Sequence, residues 1–246
     1  MMRRHLFTAA LCLNGVMANA AQISSGTGFF YNDSGHLFTN AHVIAPCTPG
    51  TIMVRTYDQA WHRARVLAKD ASFDLAALSI DQKVPAFASF RLFPGSKSVS
   101  VPEEIEDAFY AGFSNPKAND FTIQRKWGQI QPWRDPNAFP FVNRMRMDAY
   151  PGASGSAVFD YAGLLIGIVF AGSVDPITSY DKMKATGYGD KWIYAYNNNA
   201  LVHFANRKKL SYSAWDKWER KDPTLIWQHA TRVTVLVNCQ VAAPVH

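Results

Sequence analysis

The chain has 246 residues, of which 48% are hydrophobic and 18% charged, with a formal net charge of +6. That apolar content suits one large domain or two lobes around a shared cleft, and it excludes a disordered chain. The basic residues are scattered from Arg63 and Arg65 to Lys208 and Lys209 with no dense block, so no nucleic-acid partner is expected and the charge reads as solubility.

Residues 1–20, MMRRHLFTAALCLNGVMANA, start with Arg3 and Arg4, continue through an apolar run from Leu6 to Met17, and end in Ala18-Asn19-Ala20. A basic start, a short apolar middle and a small-x-small end form the pattern of a cleaved secretory signal, which puts the mature start at Ala21. Asn14 and Gly15 break the run, and no later stretch reaches the roughly 18 apolar residues of a membrane span. An exported product, periplasmic or secreted and free of the membrane after cleavage, is the expectation.

Past the signal, SGTGFFYN and HLFTNAHVI flank the turn NDSGH and read as a hairpin. TIMVRTY, WHRARVLAKD and DLAALSI read as further strands. FRLFPGSKSVSVPEEIED has no clear period and marks a lobe boundary near residues 94–105. The second half restarts with DAFYAGFSNP, DFTIQRKWGQI and FVNRMRMDAY, then the turn PGASGS and the strand GLLIGIVFAGS. Many short strands with turn signals argue for an all-β barrel or sandwich. Beyond residue 190, YNNNALVHFANRK, SYSAWDKWER and DPTLIWQHATRVTVLV carry apolar residues at helical spacing, and Asp222-Pro223 fits a helix start. The predicted organisation is a signal at 1–20, β lobes at 21–100 and 101–190, and a helical extension at 191–246 packed across the back of the lobes.

Cys12 lies in the signal, which leaves Cys47 and Cys239, and two thiols in an exported chain predict one disulfide. No HExxH, CxxC or phosphate loop occurs, so no metal and no cofactor is expected. SGTGFF lacks the third glycine and the strand–helix context of a dinucleotide fingerprint.

Of the seven histidines, His5 is in the signal, His36 in the hairpin turn, His62 in a strand, His203 and His229 in helical stretches, and His246 at the end. His42 differs, because it closes an apolar strand among small residues in LFTNAHVIA. Asp74 heads the apolar strand of FDLAALSI, where a carboxylate costs energy unless it is paired. Ser154 sits in GASGS, with glycines that permit a strained turn and the close approach of a carbonyl. Singly, each has a structural reading. Together they supply the hydroxyl, imidazole and carboxylate of nucleophilic acyl chemistry.

The segments GTGFFYNDSGHLFTNAHVI, FDLAALSI, YAGFSNP and DAYPGASGSAVFDYAGLLIGIVFAG resemble those of the trypsin-like (chymotrypsin-fold) serine proteases, over roughly residues 24–173. The likeness is to bacterial exported members such as the glutamyl endopeptidases and the protease domains of HtrA-like proteins. The resemblance implies two six-stranded antiparallel β-barrels, with His42 as general base, Asp74 orienting it, and Ser154 as nucleophile. It implies an oxyanion hole from the backbone N–H groups of Gly152 and Ser154. It places Asp148 at the base of the specificity pocket and Val169, Phe170 and Gly172 along its wall, with Val169 standing where glutamyl endopeptidases carry a histidine. Ala153 replaces the acidic residue that pairs with a new N-terminus in the animal enzymes, so no activation cleavage is expected. The expected function is a monomeric exported endopeptidase acting on peptide or protein substrates. The alternative is a protease-fold binding protein or effector with weak or no turnover.

Overall fold

The structure, a computed structural model, describes residues 22–133, 141–147, 150–171 and 192–241. The signal segment 1–20, Asp148 and Gly172 lie outside the described residues. The first half supplies β1 (Ile23–Phe30), β2 (His36–Asn40), the short helix α1 (Ala41–Ile44), β3 (Met53–Arg55), β4 (Trp61–Arg63), β5 (Arg65–Asp70) and β6 (Leu75–Ser79). Next come β7 (Phe90–Arg91), β8 (Glu106–Gly112), β9 (Gln124–Pro132), β10 (Val142–Arg146), β11 (Ala157–Phe159), β12 (Leu165–Ala171) and β13 (Trp192–Asn197). Then follow α2 (Asn198–Arg207), β14 (Ala214–Trp215), α3 (Pro223–Val233) and β15 (Thr234–Gln240).

Among the described residues the strands form two sheets. In the second, β11-β8-β9-β10-β13-β12 pair in that order, and β11 pairs back onto β12 to close six strands into a barrel. The first runs β4-β3-β15-β1-β2-β6-β5, a curled sheet of seven strands that β4 and β5 do not close among the described residues. The all-β, chymotrypsin-type expectation therefore holds, with one closed barrel and one curled sheet in place of two six-stranded barrels.

The hairpin forms where its turn chemistry placed it. The Asn32 Oδ1 accepts from the Ser34 and His36 N–H groups at 3.1 and 3.3 Å, and Gly35 takes φ 73°.

The region predicted as a helical extension holds α2 and α3, but it also holds three strands, the short β14 among them. β13 lies between β10 and β12 in the second sheet, and β15 lies between β1 and β3 in the first. The apolar spacing of DPTLIWQHATRVTVLV spans both a helix and a strand. Asp222 caps α3 by accepting from the Thr224 N–H at 2.7 Å, and the helix ends where Thr234 turns extended (φ −83°, ψ 136°). Thr234 to Val237 are all buried, and β-branched residues buried on both faces suit a central strand better than a helix.

α2 packs into the aromatic core. Its Phe204 meets Phe38 of β2 edge-on at 5.9 Å, and Phe38 also stacks on Tyr31 at 3.9 Å and meets Phe90 of β7 at 6.4 Å. This aromatic cluster joins the first sheet, the linker and the tail in one core. The linker is held at both ends by an ion pair: the buried Arg91 donates to both carboxylate oxygens of Glu106 at 2.6 and 2.8 Å, while Asp160 lies 3.3 Å away.

Cys47 and Cys239 form the expected disulfide, which ties β15 to the segment just after α1. It closes a loop with a sequence separation of 192 residues. The double variant Cys47→Ser/Cys239→Ser is expected to lose about 2–5 kcal/mol of stability, read as a lower urea midpoint that dithiothreitol reproduces in the wild type. An unchanged midpoint would show that the bridge does not constrain the unfolded chain.

Acid should also weaken the fold. Burial, and then Lys221 and Arg232, hold His229 below the usual imidazole value, although the Phe87 backbone opposes them. Burial and then Arg65 lower His36, against Asp81 and Asp33. Both groups bind protons more readily in the unfolded chain, so their contribution is present above about pH 6.5 and is lost as pH falls through the folded values. The urea midpoint should drop more between pH 7.5 and 5.5 in the wild type than in His36→Gln/His229→Gln. Equal drops would assign acid sensitivity to other groups.

Candidate active site

The pairing of β2 with β6 builds the first half of the site. Its register ends on Asn40 opposite Leu75, so the chain leaving β2 and the chain entering β6 meet at residues 41 and 74. The carbonyl of Asp74 accepts from the Ala41 N–H and from the Asn40 side-chain amide, each at 3.0 Å. Its carboxylate accepts from the His42 N–H at 2.8 Å through Oδ1, and contacts the His42 Nδ1 at 2.7 Å through Oδ2. A carboxylate only accepts, so it selects the imidazole tautomer with its proton on Nδ1 and leaves Nε2 as the free lone pair. Asp74 itself takes φ 48°, a left-handed conformation that Asp tolerates better than most residues. The imidazole is 49% exposed, so a reactant can reach it.

The turn at residues 150–156 builds the second half. The Pro151 carbonyl accepts from the Asn115 N–H at 2.7 Å, and the Ala153 carbonyl accepts from the Ser156 N–H at 3.0 Å. In a trans peptide the N–H points opposite to the carbonyl, so these two bonds turn the Gly152 and Ser154 N–H groups away from Asn115 and Ser156. Among the described residues neither N–H donates to a backbone carbonyl. Glycine is required on both sides of Ala153-Ser154. Gly152 has φ 95° and a Cβ there would stand 2.3 Å from the Phe113 carbonyl oxygen; at Gly155, with φ 87°, it would stand 1.9 Å from that of Thr27.

β12 anchors the turn. The Gly155 N–H donates to the Val169 carbonyl at 2.8 Å, and the Val169 N–H donates to the Ser156 carbonyl at 2.9 Å. The Val169 side chain is fully buried with Ala153 and Ala195, and both its backbone groups bond the turn. Phe170 is half-buried at a bulge in β12 and stacks on Tyr196 at 4.1 Å.

The structure bonds His42 to Asp74 and brings the Ser154 turn to the same seam between the sheets, where the Ser154 carbonyl accepts from the Thr27 N–H of β1 at 2.9 Å. Three residues that the sequence did not single out also line this region. Asn115 and Thr27 hold the turn. The Tyr196 phenol is pushed up to about 12 by burial and then by the charge of Asp74. A signal existed for Thr27, the polar residue between two glycines at the centre of β1. None existed for Tyr196, whose nearness to Asp74 depends on how the two sheets meet. Among the described residues no group of three or more His, Cys, Asp or Glu side chains could hold a metal ion.

The family described as the trypsin-like peptidase domain matches residues 26–168. The uncharacterized protein y4bJ of Sinorhizobium fredii is 28% identical over 222 residues, covering 89% of this chain and 33% of its own length. A probable periplasmic serine endoprotease, DegP-like, of Pseudomonas fluorescens is 28% identical over 149 residues, or 59% of this chain and 29% of its own. The chain thus spans about a third of the length of these curated relatives. Among solved structures, the HtrA-type protease AlgW with decapeptide shares the fold at a TM-score of 0.55 and 23% identity, covering 74% of this chain and 50% of that one.

Proposed function

From the premise that this chain belongs to the trypsin-like peptidase family, we propose that it is an exported serine endopeptidase working through His42, Asp74 and Ser154. The observation that carries the reading is the double contact of the Asp74 carboxylate with His42, 2.8 Å from its N–H and 2.7 Å from its Nδ1. In this mechanism the Ser154 Oγ attacks the peptide carbonyl carbon while its proton passes to the His42 Nε2. The imidazolium that results is stabilised by Asp74. The C–N bond then breaks, the departing amine takes the proton from Nε2, and an acyl-Ser154 ester remains. Water, deprotonated by the same nitrogen, hydrolyses that ester and restores the hydroxyl.

The Gly152 and Ser154 N–H groups are the donors for the developing oxyanion, and their peptides are already fixed, so little reorganisation accompanies the reaction. Phe170 and Gly172 would offer backbone groups to an extended substrate strand, and Asp148 would either select a cationic side chain before the cut or serve a structural role. A periplasmic or secreted site of action, free of the membrane and acting as a monomer on protein or peptide substrates, completes the reading. It is supported by the periplasmic name of the DegP-like relative.

The test is to treat the folded protein with a fluorophosphonate probe and locate the adduct by mass spectrometry, then to profile cleavage with a peptide library. An adduct on Ser154 supports the assignment. Folded protein that takes no probe would reject it and favour the binding-protein alternative.

A further inference from the structure

Thr27 lies in the Gly26-Thr27-Gly28 run of β1 and is completely buried. On one edge it follows the ladder to β15, opposite Leu236. On the other edge β1 pairs with β2 only at Phe29 and Phe30. The segment of β1 before those residues is taken up by the turn from the second sheet. The Thr27 N–H donates to the Ser154 carbonyl at 2.9 Å, in the manner of a strand partner. Its hydroxyl donates to the Gly152 carbonyl at 2.7 Å and accepts from the Phe113 N–H at 2.9 Å. Its own carbonyl accepts from the Thr39 hydroxyl at 2.7 Å, and Thr39 stands three residues before His42.

We propose that Thr27 is a positioning residue: its hydroxyl, reaching across from the first sheet, sets the Gly152–Ala153 peptide and with it the two oxyanion donors on either side. The inference rests on the reading of Ser154 as the nucleophile. The carbonyls of residues 151 to 154 are each held, by Asn115, Thr27, Ser156 and Thr27 in turn. Thr27 alone supplies two of these bonds, and it does so from the sheet that carries His42 and Asp74. The Gly152–Ala153 peptide is held on its other side by the Ala153 N–H, which donates to the Tyr150 carbonyl at 3.0 Å, and Gly152 has no Cβ to resist its rotation. Without the hydroxyl, the Gly152 carbonyl and the Phe113 N–H both lose their partner in a buried place. The turn can relieve this by rotating that peptide, and the rotation is passed to the two peptides joined to it, which carry the Gly152 and Ser154 N–H groups.

The test compares Thr27→Val, which keeps the shape and removes the hydroxyl, with Thr27→Ser, which keeps the hydroxyl. Val237→Ala, in the separate core of the first sheet, serves as a control for general destabilisation. Thr27→Val should react with the fluorophosphonate about 10- to 100-fold more slowly, and kcat for peptide cleavage should fall equally while KM stays within about twofold. Amide exchange should speed up together at residues 111–116 and 150–156. Thr27→Ser should recover to within about threefold of the wild type. Thr27→Cys, with only a weak donor and acceptor, gives an intermediate loss and carries the same test should Thr27→Val not fold.

Wild-type rates in Thr27→Val, or an equal slowing in Val237→Ala, would overturn the proposal. If the wild type takes no probe, the peptidase reading falls and the proposed role in catalysis falls with it. The exchange of the two segments then still decides whether Thr27 holds the turn.

Discussion

Ser154→Ala should take no fluorophosphonate and should cleave peptides about 10⁶-fold more slowly than the wild type, while unfolding at the same urea concentration to within about 0.5 kcal/mol. The two halves of that expectation come from different atoms. The structural bonds at this position belong to the backbone: the Ser154 carbonyl accepts from Thr27 at 2.9 Å, and its amide nitrogen is one of the oriented donors. Alanine keeps both. The side chain is only half-buried, so removing one hydroxyl leaves no cavity in the core. Under the proposed mechanism, what is lost is the atom that bonds to the carbonyl carbon. Ser156, the other serine on the turn, is fully buried, out of reach of a substrate. Some residual hydrolysis should remain above the uncatalysed rate, because the oxyanion donors are untouched. Cleavage at wild-type rates by Ser154→Ala would assign the chemistry to another group. A wild type that never labels would point instead to a protease fold used for binding.

The parts of the site legible in the sequence are those made by neighbours in the chain or by one antiparallel register. The hairpin of residues 23–40 needs only its turn, Asn32 to Gly35, and the apolar, aromatic residues that flank it on each side. Asp74 beside His42 needs only the pairing of two short apolar strands that end together, Asn40 with Leu75. The glycines of GASGS announce φ values that other residues avoid, and both Gly152 and Gly155 are positive.

What stayed hidden depends on long-range closure. Nothing local in TRVTVLV separates a helix ending at Val233 from a longer one. The strand identity of Thr234–Gln240 is set by β1 on one edge and β3 on the other, both far away in the sequence. Thr27 is another such case, since its hydroxyl partner Gly152 is 125 residues away.

Asp74→Asn should fold normally and lose about 10⁴-fold in kcat, with KM nearly unchanged. The backbone loses nothing, because Asp74 holds Ala41 and Asn40 through its carbonyl, and asparagine tolerates φ 48° as well as aspartate does. The side chain is another matter. The carboxylate faces two N–H groups of His42, on the backbone at 2.8 Å and on Nδ1 at 2.7 Å, and each of its oxygens accepts one. An amide has one acceptor and one donor for the same two positions. If its oxygen keeps the backbone N–H, its NH₂ faces Nδ1, and Nδ1 must give up its proton and accept. The proton then sits on Nε2, the atom that must take a proton from Ser154, so the base is already occupied. If the amide turns the other way, its NH₂ opposes the His42 N–H and the first turn of α1 is disturbed. The first arrangement keeps every bond and is the one expected. The defect therefore falls on the chemical step, since Asp74 acts through His42 and not on the substrate. Parallel measurements of kcat, KM and the urea midpoint separate these outcomes. A loss of less than tenfold, in protein of wild-type stability, would show that the carboxylate does not set the tautomer and that His42 is not the base.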